Sequence, residues 1–119
     1  MPNTKSVGVA YSDPALTSFY LNAPVTKTAS FKLGDEENYV ICNGAAANVT
    51  VTLPSGADYI GRTVFLKNLS GTYTVISASS NVKPRTSGTA GTAILAATAG
   101  KFATLVCEDG TNWVIMAAA

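Results

Sequence analysis

Phe102-Ala-Thr-Leu-Val-Cys-Glu-Asp-Gly-Thr-Asn-Trp113 decides the fold. A run rich in β-branched and large apolar side chains ends at Asp109-Gly110, and the apolar character resumes at Trp113-Val-Ile-Met116. Asp tolerates positive φ and Gly has no Cβ to clash, so the pair marks a tight reversal between two antiparallel strands.

The same pattern recurs upstream in Asn48-Val-Thr-Val-Thr-Leu-Pro54, Thr63-Val-Phe-Leu-Lys-Asn68 and Thr72-Tyr-Thr-Val-Ile-Ser77, with further turns offered by Asn43-Gly44 and Ser70-Gly71. Strands are expected at Ala29–Leu33, Asn38–Asn43, Asn48–Leu53, Thr63–Asn68, Thr72–Ala78, Ala93–Ala97, Phe102–Glu108 and Asn112–Met116. Pro54-Ser-Gly56 and Gly61 bracket a longer connection, and Val82–Gly91 reads as the longest irregular stretch. The expected fold class is all-β: a single antiparallel β-sandwich or β-barrel of about seven or eight strands over residues 29–119.

Residues 1–28 read differently. Pro2, Asp13-Pro14 and Ala23-Pro24 push the preceding residues away from helical geometry, so an extended N-terminal arm is expected, with room for one short helical turn over Ala15–Tyr20. The arm is not a polar tail: Val9, Tyr11, Leu16, Phe19, Tyr20 and Leu21 would gain by lying on a surface.

Composition narrows the function. At 119 residues there is room for one core. Apolar residues make up 47% of the chain and charged residues only 13%, about half the usual share. The net charge of +1 comes from scattered bases and acids, with no Lys or Arg cluster to meet phosphates, so nucleic acid is not an expected partner. No apolar run is long enough to span a bilayer as a helix, and no membrane partner is expected. Cys42 and Cys107 fall inside expected strands with no leader-like segment before them, which points to synthesis in a cytoplasm and leaves buried thiols or a bridge between adjacent strands both open.

Candidate chemistry is sparse. The chain has no histidine, which removes the commonest general base and metal ligand near neutral pH. Asp35-Glu36-Glu37 reads as a solvated turn, Gly88-Thr-Ala-Gly91 lacks the Lys-Ser/Thr of a phosphate loop, and two cysteines alone do not make a zinc site. No catalytic residue, no metal and no cofactor is expected, and the chain reads as a non-enzyme. Tyr59 and Tyr73 are the candidates for exposed aromatic contacts, and Arg62 and Lys67 for surface pairs with Asp58 or Glu108.

Alternation separates one-sided strands from two-sided ones. Val49, Val51 and Leu53 face opposite to Asn48, Thr50 and Thr52, the pattern of a sheet with one wet face. In Phe102–Cys107 both alternating sets are largely apolar, and Trp113–Met116 is apolar throughout. One face of these strands is therefore expected to meet another subunit, with Phe102, Leu105, Trp113, Ile115 and Met116 as the interface residues.

The order of a Thr-Val-Thr-Leu-Pro strand, Gly-Arg-Thr-Val-Phe-Leu-Lys-Asn-Leu, Gly-Thr-Tyr-Thr-Val and Leu-Val-Cys-Glu-Asp-Gly-Thr-Asn-Trp resembles small β-sandwich modules of tailed-bacteriophage structural proteins, over about Tyr39–Ile115. Those modules include capsid decoration (cement) proteins and tail-fibre domains. The resemblance implies β domains that trimerise on a virion, with a terminal arm reaching across neighbours, and structural roles for Pro54, Gly61, Asn68 and the Asp109-Gly110 turn. A chain that starts at its own Met1 after one short arm fits a decoration protein better than the end of a long shaft.

The expected function is thus a decoration protein on the outer surface of a phage head, made in the host cytoplasm. Its expected partners are itself, as a homotrimer, and the major capsid protein, which the six arm residues would contact. The alternative is a tail-fibre or adaptor module that recognises a host-surface glycan.

Overall fold

The computed structural model describes residues 22–119, where the alternation of the sequence becomes two sheets packed on one apolar core. Ten strands follow in order: β1 (Val25–Lys27), β2 (Phe31–Lys32), β3 (Tyr39–Cys42), β4 (Val49–Thr52), β5 (Thr63–Asn68), β6 (Val75–Ser77), β7 (Val82–Lys83), β8 (Ala93–Leu95), β9 (Phe102–Cys107) and β10 (Trp113–Ala118). The only helical element among the described residues is a 3₁₀ turn at Ala57–Tyr59. One sheet has six strands in the order β1-β3-β5-β9-β10-β7, and the other has four in the order β2-β4-β6-β8. The all-β sandwich read from the sequence is the architecture observed.

The pairing differs from the antiparallel expectation. Both sheets are mixed: β1-β3, β3-β5, β2-β4, β4-β6 and β7-β10 pair in parallel, while β5-β9, β9-β10 and β6-β8 pair antiparallel. From β1 to β6 the chain alternates between the sheets, so each strand pairs with the next but one. Asn43-Gly44 and Ser70-Gly71 therefore arch across the sandwich where hairpins were expected. Backbone crowding fixes the first arch, since a Cβ on Gly44 would stand 2.7 Å from the Ala47 carbonyl oxygen. Asp109-Gly110 does close a hairpin: the Asp109 carboxylate accepts from the Thr111 and Asn112 N–H groups at 2.9 and 2.7 Å, and Gly110 has φ of 87°. Those N–H donors also hold the Asp109 carboxyl below its ordinary pKa.

Two strands were not expected from the sequence. Val25–Lys27 pairs with β3, so the last part of the stretch read as an arm belongs to the sheet. Val82–Lys83, read as irregular, pairs with β10. Both are too short for periodicity to mark them. The expected turn at Ala15–Tyr20 lies outside the described residues.

Strand register builds the core in rows. Val40, Leu66 and Ala103 sit opposite one another on the inner face, as do Val64, Leu105 and Ile115, and Cys107, Trp113 and Val82. The facing sheet contributes Val49, Val75 and Leu95, and Val51 beside Ser77. A shift of register between Val75 and Ile76 turns both Ile94 and Leu95 inward.

The buried polar residues Asn68, Ser70 and Ser77 find partners within the fold, while Arg62 Nε is buried without one. Ser77 donates to Asn81 Oδ1 at 2.6 Å, and Ser70 Oγ accepts from the N–H groups of Thr72 and Tyr73. Asn68 donates to the carbonyls of Tyr73 and Ala96 and accepts from the Ser70 N–H, so one side chain ties the end of β5 to the loops that enter β6 and leave β8.

Cys42 and Cys107 are both free and buried. Cys42 is in register with Asn68 and the Cys107 N–H donates to the Arg62 carbonyl, which places the two thiols at opposite ends of β5. At about 3.3 Å per residue that separation is roughly 20 Å, far beyond the ~7 Å Cα limit for a disulfide. Burial pushes the Cys42 thiol up to about 11. In native protein at pH 7.5, neither thiol is expected to react with a disulfide reagent over minutes, and both should react at once in denaturant. Rapid titration of either thiol without denaturant would contradict this packing.

Candidate functional site

The outward faces of the two sheets differ in chemistry. On the four-stranded sheet the outward residues are Lys32, Thr52, Thr50, Ile76 and Ala93, a surface suited to water. On the six-stranded sheet the outward rows are Tyr39-Phe65-Thr104-Ala117, Thr26-Ile41-Lys67-Phe102 and Thr63-Val106-Val114-Lys83. Six of these twelve are large and apolar, and none is acidic. Tyr39, Phe65 and Phe102 are 38, 37 and 47% exposed, so the face is open. Tyr39 and Phe65 stack with ring centroids 5.0 Å apart and planes 27° from parallel, as neighbouring strands in register allow.

The register shift between Ile115 and Ala117 leaves Met116 as an extra residue, 64% exposed at the margin of the same sheet. A shallow trough of about 250 Å³ runs over the β1-β3-β5-β9 half, with Pro24, Tyr39, Ile41, Phe65, Phe102 and Thr104 among its walls. Contiguous apolar surface of this kind marks an interaction site more often than a solvated one.

Apart from Lys67 in the middle of the outward face, charge lies at the margins. Lys27 pairs with Glu37 at 2.7 Å and Lys83 with Glu108 at 2.8 Å, while Arg62 donates to the carbonyls of Glu37 and Gly34 at 2.6 and 3.1 Å. The Lys27 ammonium, then the Gly34 N–H, hold the Glu37 carboxyl below its ordinary pKa. The pairs foreseen for Arg62 and Lys67 with Asp58 or Glu108 are thus replaced: Lys83 takes Glu108, and Arg62 takes backbone carbonyls. Asp35-Glu36-Glu37 forms a turn, with Asp35 accepting from the Tyr59 hydroxyl at 3.2 Å. Among the described residues no three His, Cys, Asp or Glu side chains come together to hold a metal ion.

The expected interface residues divide. Phe102 and Met116 are exposed, whereas Leu105, Trp113 and Ile115 are 0, 0 and 6% exposed and belong to the domain's own core. The inward set of β9 is Ala103, Leu105 and Cys107, and the outward set is Phe102, Thr104 and Val106. Sequence alternation separates the sets without saying which one meets the core. The arm residues Val9, Tyr11, Leu16, Phe19, Tyr20 and Leu21 lie outside the described residues.

Tyr59 and Tyr73 are half-buried, so the exposed aromatic platform is Tyr39 with Phe65 instead. Sequence reasoning missed this pair and Ile41. The available signal was the alternate set, Tyr39 and Ile41 in one strand and Phe65 in the other, that Tyr39-Val-Ile-Cys42 and Thr63–Asn68 place opposite their buried set.

What this face can do chemically is adhere: it offers rings, methyl groups and a few hydroxyls. Compared with known proteins, the chain matches no family model and no curated relative.

Proposed function

We propose that the chain is a virion structural protein, a decoration protein that trimerises on the outer surface of a phage head and stabilises contacts between capsid subunits. One observation carries the adhesive part of this reading: the six-stranded sheet turns outward a face on which six of twelve residues are large and apolar, three of them aromatic, while the outward face of its partner sheet has Ile76 as its one large apolar residue. The place in a virion rests on the sequence resemblance over about Tyr39–Ile115.

Burial of a few hundred Å² of this surface, at ~25 cal/mol per Å², outweighs what exposed ion pairs contribute. Three linked copies then engage a shell as one unit, and effective concentration multiplies weak single contacts. The proposed roles are adhesive only, with no catalytic step, no cofactor and no nucleic acid or membrane partner.

A second reading, a tail-fibre or adaptor module, is favoured by the exposed aromatic residues Tyr39, Phe65 and Phe102, which together offer ring surface to a sugar. Quantifying the chain against the major capsid protein in purified particles separates the two. Hundreds of copies per particle, together with a trimer by sedimentation, is the result expected. A few copies per particle with saturable binding to host cells favours the tail module, and a monomer with affinity for neither shells nor host cells overturns both.

A further inference from the structure

Lys67 stands where the outer face is most apolar. On β5 it follows Phe65 at a spacing of two residues, and in the row across the strands it lies between Ile41 and Phe102. It is exposed, and it is the only charged residue among those lining the trough. The other lysines in the strands that border this face are answered, Lys27 by Glu37 and Lys83 by Glu108. Among the described residues no carboxylate comes within salt-bridge distance of Lys67.

This arrangement selects its occupant. Anything that covers the rings also draws the Lys67 ammonium out of water, and a charge buried without a counter-charge is costly. A wholly apolar segment would meet that cost in full. So would a second copy docked through the same face, because its outward rows carry no acid and would bring a second Lys67. A carboxylate set among apolar side chains turns the penalty into an attraction and fixes the register of the contact.

We propose that the trough docks an extended segment of another protein, one that presents an Asp or Glu to Lys67 and, two positions away, a large apolar side chain to Tyr39 and Phe65. The spacing agrees: Phe65 and Lys67 are about 7 Å apart along β5, and so are residues i and i+2 on one face of an extended partner. Ile41 and Phe102 flank the ion pair so formed and lower the local dielectric, which strengthens it. A trough of about 250 Å³ on the open side of a sheet suits a few side chains and is smaller than the ~300 Å³ and upward of a small-molecule cleft. The proposal rests on the adhesive reading of this face but not on the place in a virion, so copy number on particles can fail without touching it. Val106, Val114 and Met116, on the β9-β10 half, remain for contact between copies.

The test uses the full chain, immobilised, and a library of random peptides displayed on ribosomes. Peptides enriched on the parent are expected to carry Asp or Glu with a large apolar residue two positions away, and those enriched on Lys67→Glu to carry Lys or Arg in place of the acid. Changing the acid of an enriched peptide to its amide should weaken binding to the parent ~10-fold or more and leave binding to Lys67→Met unchanged. Added to isotope-labelled parent, the same peptide should shift the signals of Tyr39, Ile41, Phe65 and Phe102, a readout that needs no variant. Absence of enrichment on the parent, enrichment without an acid, the same peptides on parent and Lys67→Glu, or shifts elsewhere on the protein overturns the proposal. Movement of those four signals with protein concentration alone assigns the trough to a second copy and overturns it as well.

Discussion

Trp113→Ala is expected to remove most of the stability of the domain. Trp113 is fully buried on the inner face of β10, in register with Cys107 on one side and Val82 on the other, and its indole N–H donates to the Pro54 carbonyl at 3.1 Å. The position closes one end of the sandwich. Nearby, the Gly56 N–H donates to the Gly110 carbonyl at 2.7 Å and the Gly61 N–H to Cys107 at 2.8 Å, so the Pro54–Gly61 connection is laced to the last hairpin around this ring. Truncating a buried Trp costs about 3–5 kcal/mol through lost transfer energy and the cavity left behind, and the Pro54 carbonyl loses its donor as well. A domain of this size has about 5–15 kcal/mol in all.

Urea unfolding followed by circular dichroism is the measurement, because the variant lacks the chain's single tryptophan. Trp113→Phe should lose much less, since the ring keeps most of the apolar contact and only the indole donor is gone. The loss in Trp113→Ala should also be independent of protein concentration. A stability loss that appears only where copies associate would return Trp113 to a subunit interface and contradict its place in the core.

That contrast shows how far the sequence could be read. Alternation in Val49–Thr52 and the Asp109-Gly110 reversal were legible because they depend on local geometry: a period of two puts alternate residues on one face, and a positive-φ glycine closes a hairpin. Which face meets the core is not local. In Phe102–Cys107 both sets are greasy, and the choice of Ala103, Leu105 and Cys107 for the interior follows from what β5 and β10 present beside them. Partner choice was equally hidden. Asn43-Gly44 and Ser70-Gly71 have the composition of hairpin turns, yet the strands they join lie in different sheets. A turn residue reports that the chain bends, and only tertiary packing decides whether it bends within a sheet or between two.

The excess of apolar β surface was visible in composition, and its address was not. Phe102 and Met116 were placed on a contact face by the apolar character of their strands, and they are exposed. Alternation does not single out Tyr39, Ile41 and Phe65, because their neighbours Val40, Cys42, Val64 and Leu66 are apolar as well. Parallel pairing of β3 with β5 then sets Tyr39 against Phe65, a juxtaposition between residues far apart in the sequence that no local pattern encodes.

Asn68 carries the second large effect, and here chemistry more than volume decides it. The residue is 1% exposed, and all three of its side-chain hydrogen bonds go to backbone: Nδ2 to the Tyr73 and Ala96 carbonyls at 2.9 and 2.8 Å, and Oδ1 from the Ser70 N–H at 3.0 Å. Asn68→Ala strips a partner from three backbone groups at the crossing between the sheets. Each unsatisfied buried group costs about 1–3 kcal/mol, and partial entry of water lowers the sum, so a loss of ~3 kcal/mol and a fall in Tm of more than ~10 °C are expected.

Asn68→Asp is the sharper test, because shape is kept while the two donors are replaced by a carboxylate oxygen facing two carbonyls. At pH 7 it should be at least as damaging as alanine. In the folded variant, burial and those carbonyls raise the carboxyl pKa above its unfolded value of about 3.9. The folded state therefore binds the proton more tightly, and the deficit of Asn68→Asp relative to the parent should shrink as pH falls from 7 towards 4, where the neutral acid regains one donor. Thermal melts monitored by Trp113 emission across that range are the measurement. A deficit that stays constant with pH, or an Asn68→Ala variant within ~0.5 kcal/mol of the parent, would mean that the side chain does not tie the two sheets together.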